Sequence, residues 1–224
     1  MIDFISVETF SEPTENIREI MRYIGERESN GRTESLIEEC LTEIRGKLSY
    51  RVCYREFPVS VSGGVVDLSF VKADSKGLAK NLDGCESAVI FGATVGIGLD
   101  RLISKYSRIS PVKALIFQGI GAERIESLCD AFCDKLSALK GEENRFLRPR
   151  FSPGYGDLAL TVQKDIFKVL DCERKIGLTL NESLLMSPSK SVTAIVGIAA
   201  KPKKCKANKC DACDISQDCQ FRGI

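Results

Sequence analysis

Four cysteines near the C-terminal end are the residues whose type and spacing most clearly suggest chemistry. They lie within fifteen residues, in the stretch CKANKCDACDISQDC, at Cys205, Cys210, Cys213 and Cys219. The chain has no histidine, so a metal bound here would be held by thiolates alone or by thiolates with carboxylates. The first question is therefore which metal, if any, these cysteines hold.

The spacing C-x4-C-x2-C-x5-C leaves three alternatives. A C-x2-C pair is typical of structural zinc, but the second such pair found in most zinc sites is missing. The first three cysteines match the C-x4-C-x2-C run of plant-type [2Fe–2S] proteins, and a compact four-cysteine loop can also enclose a [4Fe–4S] cluster. We expect an iron–sulfur cluster on the four cysteines, with zinc as the alternative and a metal-free tail as the third reading.

Composition and the N-terminal sequence indicate a cytoplasmic protein. The start, MIDFISVETFSEPTE, is acidic and lacks the pattern of a signal peptide, and no apolar run reaches the length of a membrane span. A formal net charge of +1 predicts no general attraction to nucleic acid or to membranes. Because the cytosol is reducing, clustered cysteines there favour metal binding over disulfides.

Helical periodicity predicts most of the elements that must position a site. A first helix is expected to start at Ser11 and Pro13, and a second is expected to be capped by Thr33. Gly119 and Gly121 fall inside a predicted long helix, where they indicate a kink or a close helix contact. This long helix is predicted over 111–141, and a further helix is predicted over 160–171.

Strands are predicted where the pattern changes to period two or to continuous apolarity. Residues 50–62 and 65–71 alternate on either side of a turn at Gly63 and Gly64, and further strands are expected at 87–95, 175–180 and 191–200. The elements together predict an α+β fold with helices packed around a twisted, mostly antiparallel sheet. We expect one domain over residues 1–200, followed by a cysteine-rich tail over 201–224. Over the first eighty residues the sequence indicates elements of a fold but no site.

Three motifs in a fixed order lie between the long helix and the tail. The first is Arg150-x-x-x-Gly154-Tyr155, the second is GLTLNES at 177–183, and the third, MSPSKSVT, spans 186–193. In this order they resemble the activation (S-adenosylmethionine-binding) domain of cobalamin-dependent methionine synthase. The resemblance extends over about 86–198, so the tail is expected to be an addition to the domain.

The resemblance implies a role in reductive reactivation. Domains of that family bind S-adenosylmethionine and cap the cobalamin of the synthase after its oxidation to cob(II)alamin, and one-electron reduction coupled to methyl transfer restores methylcobalamin. The present chain has no Asp-x-His-x-x-Gly motif for cobalamin, because it has no histidine. The cobalamin is therefore expected on a separate partner, a methionine synthase or another corrinoid protein, with a small redox protein as electron donor.

The resemblance also assigns roles to single residues. Arg150 corresponds to the arginine that holds the methionine carboxylate, and Ser152 to a position whose backbone meets the nucleoside. Gly154 allows close approach of the backbone to the ligand, and Tyr155 corresponds to the tyrosine at the corrin face. Glu143, or its neighbour, is the candidate for a family glutamate just upstream.

One departure keeps other functions open. Lys204 stands where the family has a further tyrosine that contacts the ligand. A second hypothesis is therefore an electron-transfer or corrinoid-docking protein that has lost S-adenosylmethionine binding, and a third is a zinc-stabilised interaction module.

Overall fold

The computed structural model describes residues 4–26 and 31–202. Within them the strands, numbered in chain order, are β1 (Ser6–Phe10), β2 (Tyr50–Pro58), β3 (Ser60–Ser62), β4 (Val65–Asp67), β5 (Lys72–Asp74), β6 (Cys85–Thr94), β7 (Phe146–Leu147), β8 (Thr179–Leu180), β9 (Met186–Ser187) and β10 (Ser191–Ala199). The helices are α1 (Ile17–Tyr23), α2 (Gly31–Ile44), α3 (Lys76–Asn81), α4 (Gly98–Ile109), α5 (Pro111–Glu142), α6 (Val162–Leu170) and α7 (Cys172–Ile176).

A five-stranded antiparallel sheet forms the centre, in the order β1-β2-β6-β10-β7. The inner strands β6 and β10 are apolar without alternation because helices cover both faces of the sheet. One face packs on α5, and the other packs on α3, α6 and α7. The predicted α+β fold with an antiparallel sheet is confirmed.

Helix α5 is the longest element, with 32 residues, and it begins as predicted. The hydroxyl of Ser110 accepts the backbone N–H of Lys113, and Pro111 occupies the first turn. The helix is continuous through Gly119 and Gly121. These glycines make room for Ile24, which directly follows α1, and for Leu99 of α4. Of the two predicted consequences, close packing is the one that the structure shows.

The beginning of the chain differs from the prediction. Residues Ser6–Phe10 form the edge strand β1, which was not predicted, and α1 begins only at Ile17 with Asn16 as its cap. Helix formation from Ser11 is prevented because the backbone carbonyls of Pro13 and Thr14 accept hydrogen bonds from the buried Arg124 guanidinium. A contact across more than a hundred residues therefore overrides the local signal.

Two strand predictions also need correction. The turn at Gly63 and Gly64 is confirmed, but it joins only the short strands β3 and β4, while β2 pairs with β1 and β6 in the main sheet. The expected strand over 175–180 begins inside helix α7, which ends at Ile176, and only Thr179–Leu180 forms a strand. Among the described residues, no helix is both long and apolar enough to cross a membrane.

Candidate ligand-binding site

A cavity of about 1120 Å³ opens along the outer edge of β10. Its walls are the C-terminal half of α5, the loop that carries Arg150, and the segment around Met186. The loop continues the sheet edge, because the backbone groups of Phe151 and Ile195 form two hydrogen bonds of 2.9 Å. Beyond this bridge the edge of β10 at Ser191 and Thr193 faces the cavity.

Arg150 projects from this loop toward α5. Its Nη2 donates to the carboxylates of Glu126, at 3.1 Å, and Asp130, at 2.7 Å. These two carboxylates lie one helical turn apart, so both face the guanidinium. Burial disfavours the charged form of Arg150, but the surrounding groups, including Glu126 and Asp130, outweigh it and raise the pKa of the guanidinium. The result is a permanently charged cation with its side chain still 21% exposed.

The backbone of the loop after Arg150 is tightly turned. The N–H of Tyr155 donates to the carbonyl of Ser152, and the N–H of Gly154 donates to Leu158. Gly154 has a φ of 87°, a conformation that side chains disfavour. The turn leaves Tyr155 70% exposed at the rim of the cavity, which Ser152 also lines.

Asp157 anchors the far end of the loop to α3. Its carboxylate accepts the hydroxyl of Ser75 at 2.5 Å and the backbone N–H of Gly77 at 3.2 Å. Gly77 has no side chain, and a Cβ there would lie 3.3 Å from the ring of Phe151 and closer still to Asp157. The absence of a side chain at Gly77 therefore lets the loop rest directly on the start of the helix.

Three of the predicted site residues, Arg150, Ser152 and Tyr155, line the cavity, and Gly154 lies in the same turn. Glu143 lies elsewhere, at the end of α5, where its carboxylate is 3.4 Å from the buried Lys140 ammonium. The acidic groups beside Arg150 are instead Glu126 and Asp130, which sequence reasoning did not single out. Their four-residue spacing on one helix was the available signal.

The same wall of α5 carries Cys133 and Asp134. Burial raises the pKa of the Cys133 thiol to about 11, so the group is a neutral thiol at physiological pH. On the opposite wall, Gln163 and Thr193 are almost fully buried, and each has a side-chain oxygen without a hydrogen-bond partner among the described residues. The cavity thus combines charged, polar and apolar surface, as ligand sites commonly do.

The four predicted metal ligands, Cys205, Cys210, Cys213 and Cys219, lie outside the described residues. Within 4–26 and 31–202, no group of three or more cysteine, aspartate or glutamate side chains is arranged to hold a metal ion. The described part of the chain ends at Pro202, and the carbonyl of Lys201 accepts a hydrogen bond from Arg148, which lines the cavity.

Comparison with known proteins supports the predicted resemblance. Residues 134–220 match the family model described as "Vitamin B12 dependent methionine synthase, activation domain". The fold is similar to a solved structure of the MetH reactivation domain bound to AdoHcy, with a TM-score of 0.64 and 14% identity. The similarity covers 90% of this chain and 80% of that one. No curated protein matches the chain.

These comparisons confirm the resemblance and correct its extent. The family match contains all three motifs around Arg150, and the fold similarity reaches well before residue 86. The match also runs to residue 220 and so includes the four tail cysteines. The expectation that the resemblance stops before the tail was therefore wrong.

Proposed function

We propose that this protein reactivates a cobalamin-dependent methionine synthase, or a related corrinoid methyltransferase, by binding S-adenosylmethionine and docking on the oxidised corrinoid of the partner. The arrangement of Arg150 between Glu126 and Asp130 in an open cavity is the observation that carries this proposal. Arg150 lies within the segment that matches the activation-domain family, and Glu126 and Asp130 lie just before that segment. The fold is similar to a reactivation domain solved with AdoHcy.

The charges of the cavity suit the methionine part of the ligand. Arg150 presents a planar guanidinium that can bind the carboxylate through two hydrogen bonds. Glu126 and Asp130 lie beside it to accept the α-ammonium group. Asp134, one further turn along α5, adds a third carboxylate to the wall, which favours the positive sulfonium.

The rim of the cavity suits a flat, largely apolar partner surface. Tyr155, Leu160 and Leu185 line the cavity and are 70%, 42% and 65% exposed. Exposed large apolar groups around a polar cavity are typical of an interaction site. Tyr155 is proposed to lie against the corrin face, where the rim would exclude water from the methyl group.

The chemistry requires little acid–base catalysis from the protein. Bound cobalamin supplies the cobalt centre that takes the methyl group, and the sulfonium already activates that group for transfer. Accordingly, the chain has no histidine, and the thiol of Cys133 is neutral. The residues of the cavity bind and orient the donor, which is the contribution of proximity and orientation.

Electron supply is assigned to the tail. An iron–sulfur cluster, reduced by a small redox protein, is proposed to be held by Cys205, Cys210, Cys213 and Cys219. Zinc is the alternative metal. Zinc cannot change its oxidation state, whereas an iron–sulfur cluster can relay one electron. The described residues end at Pro202, and the carbonyl of Lys201 accepts a hydrogen bond from Arg148 of the cavity wall.

The proposal is tested with anaerobically purified full-length protein in two assays. Calorimetry with S-adenosylmethionine is expected to show one site, and the protein is expected to support methylation of a cob(II)alamin-loaded methionine synthase under reducing conditions. Iron and zinc analysis of the same sample distinguishes the two tail proposals. Absence of S-adenosylmethionine binding, with docking on the corrinoid protein retained, would favour the second hypothesis, which Lys204 in place of a ligand-contacting tyrosine suggests.

A further inference from the structure

Two cysteines from distant parts of the chain meet beneath the sheet. Cys53 in the middle of β2 and Cys172 at the start of α7 are separated by 119 residues, yet their Sγ atoms lie 3.8 Å apart. Both side chains are fully buried. The family motifs around Arg150 involve neither residue, and the proposed mechanism uses neither thiol.

The space around the two sulfur atoms is provided by Gly92. This residue of β6 pairs directly with Cys53 of β2, and a Cβ at Gly92 would lie 3.2 Å from the Cys172 sulfur and 3.6 Å from the Cys53 sulfur. A side chain at this position would crowd the Cys172 sulfur and would contact the Cys53 sulfur at an ordinary distance. The glycine therefore keeps the space beside the two sulfur atoms free of a β6 side chain.

Helix α7, which carries Cys172, is short and bounded by two turning points. Asp171 precedes it with a φ of 48°, and Gly177 follows it with a φ of 71°. To close a disulfide, the two sulfur atoms would have to approach from 3.8 Å to about 2.05 Å, and the helix that would move has only five residues. A pocket of about 450 Å³, lined by Cys172 and Phe167, gives small solutes access to this helix.

The hydrogen bond between the two thiols changes their pKa values in a direction that favours oxidation of the pair. The hydrogen bond with Cys172 lowers the pKa of Cys53, while the Cys53 sulfur and burial raise the pKa of Cys172. The first proton is thus lost more readily than from an isolated buried thiol, such as Cys129, whose pKa burial raises.

We propose that Cys53 and Cys172 are a redox-active dithiol that a hydroperoxide converts into a disulfide. Two S–H bonds break and one S–S bond forms, so the pair loses two electrons and two protons. The O–O bond of hydrogen peroxide accepts them and is reduced to two molecules of water. A thiol reductant reverses the change by thiol–disulfide exchange.

Oxidation of this pair would lock one wall of the cavity. The carbonyl of Cys172 accepts the N–H of Leu178 at 3.3 Å, and the next two residues form β8, which pairs with β9. Met186 of β9 lines the cavity. A covalent bond from α7 to β2 would therefore restrain this hairpin through a continuous chain of contacts. Its effect on the ligand rests on the proposed function, whereas the dithiol itself does not.

The proposal is tested on the full chain, reduced and then treated with one equivalent of hydrogen peroxide. Peptide mass mapping is expected to identify a Cys53–Cys172 linkage in the wild type. Hydrogen exchange at the amides of 175–180 is expected to slow by about tenfold, because the crosslink suppresses local opening. The variant Cys172→Ala should show neither effect, and Cys129→Ala, which removes a buried thiol from the opposite face of the sheet, should show both.

Two results would overturn the inference. One is oxidation of other cysteines with no Cys53–Cys172 linkage in the wild type or in Cys129→Ala. The other is a linkage that leaves exchange at 175–180 unchanged, which would disprove locking of the hairpin. Neither measurement requires S-adenosylmethionine, so failure of the proposed function would leave both results interpretable.

Discussion

Two adjacent sites on α5 place arginine–carboxylate contacts in opposite environments. At the first, Arg124 is fully buried and binds Glu123, also buried, together with the carbonyls of Pro13 and Thr14. At the second, Glu126 and Asp130 both accept hydrogen bonds from Nη2 of Arg150 at the surface of a cavity. The first arrangement uses its hydrogen-bonding capacity to hold the chain together, whereas the second leaves access for a ligand.

The largest loss of stability is expected from removing the buried arginine, Arg124. Arg124→Met would leave the Glu123 carboxylate buried without its cation and would free two carbonyls of the N-terminal segment. We expect the free energy of unfolding to fall by about 3–5 kcal/mol, as for other broken buried ion pairs. Urea denaturation, monitored by circular dichroism, measures this free energy.

Arg145→Met is the matched control for Arg124→Met. Arg145 forms an ion pair with Glu86 at the surface, where both side chains are partly or largely exposed. Such pairs contribute about 0–1 kcal/mol. If the free energy of unfolding fell by similar amounts in the two variants, burial would not explain the effect of Arg124→Met.

Arg150→Ala is expected to weaken S-adenosylmethionine binding and to change stability little, in contrast to Arg124→Met. Removing a guanidinium that binds a carboxylate through two charged hydrogen bonds should weaken S-adenosylmethionine binding by about 30- to 300-fold. Stability should change little, because the Glu126 and Asp130 side chains are 45% and 65% exposed and can be solvated. Calorimetry and urea denaturation of the same samples measure both quantities.

Two further variants sharpen this result. Arg150→Lys keeps the charge but loses the planar arrangement of donors, so binding should recover only in part. Glu143→Gln, which lies outside the cavity, should bind as the wild type does. A large loss of binding in Glu143→Gln would restore the role that the sequence suggested for that residue.

The candidate site could be predicted where its residues are close in sequence. Arg150, Ser152, Gly154 and Tyr155 lie in one loop, which the ordered set of three motifs identified as a candidate. The partners of Arg150 lie 20 and 24 residues earlier in the chain, so only the fold shows that they face it. No motif links β2 to α7, and for the same reason the proximity of their cysteines was not predictable.

The fold was predictable to a similar extent. Strands β6 and β10 and helix α5 are long; β6 was predicted from its continuous apolarity, and α5 was predicted from its helical pattern and start signals. Strand β1 has only five residues and is defined by its pairing with β2, and α7 is defined by the turning residues that bound it. Short elements of this kind depend on tertiary contacts that a local pattern does not contain.

A smaller change in stability is expected when glycines of α5 are replaced by alanine, and its sign should depend on whether the glycine is tightly packed. An added Cβ at Gly121 would meet the buried Leu99 side chain, whereas nothing lies within 4 Å at Gly141. Gly121→Ala should destabilise the protein by about 1–2 kcal/mol, because overpacking exceeds the gain in helix propensity. Gly141→Ala should stabilise it by about 0.5–1 kcal/mol. Thermal unfolding separates the two, and equal effects would contradict the difference in packing.

The smallest effect concerns the anchor that holds the Arg150 loop against α3. The hydroxyl of Ser75, followed by the backbone N–H of Gly77, lowers the pKa of the Asp157 carboxyl below its ordinary value of 3.8. Because the folded pKa is the lower one, the carboxylate contributes its full stabilisation above the ordinary value and loses it as the pH falls through the folded pKa. Asp157→Asn should therefore lower the melting temperature slightly at neutral pH.

The pH dependence of this difference identifies the charge as its cause. The gap in melting temperature between wild type and Asp157→Asn should be constant from about pH 8 to pH 5 and should close in stronger acid, where the wild-type carboxyl is protonated. Asp171→Asn serves as the control, since that carboxylate is 3.6 Å from the largely exposed Arg174 and does not contact the loop. A gap that stays constant below about pH 3 would mean that Asp157 acts through its shape rather than its charge, because protonation would then remove nothing.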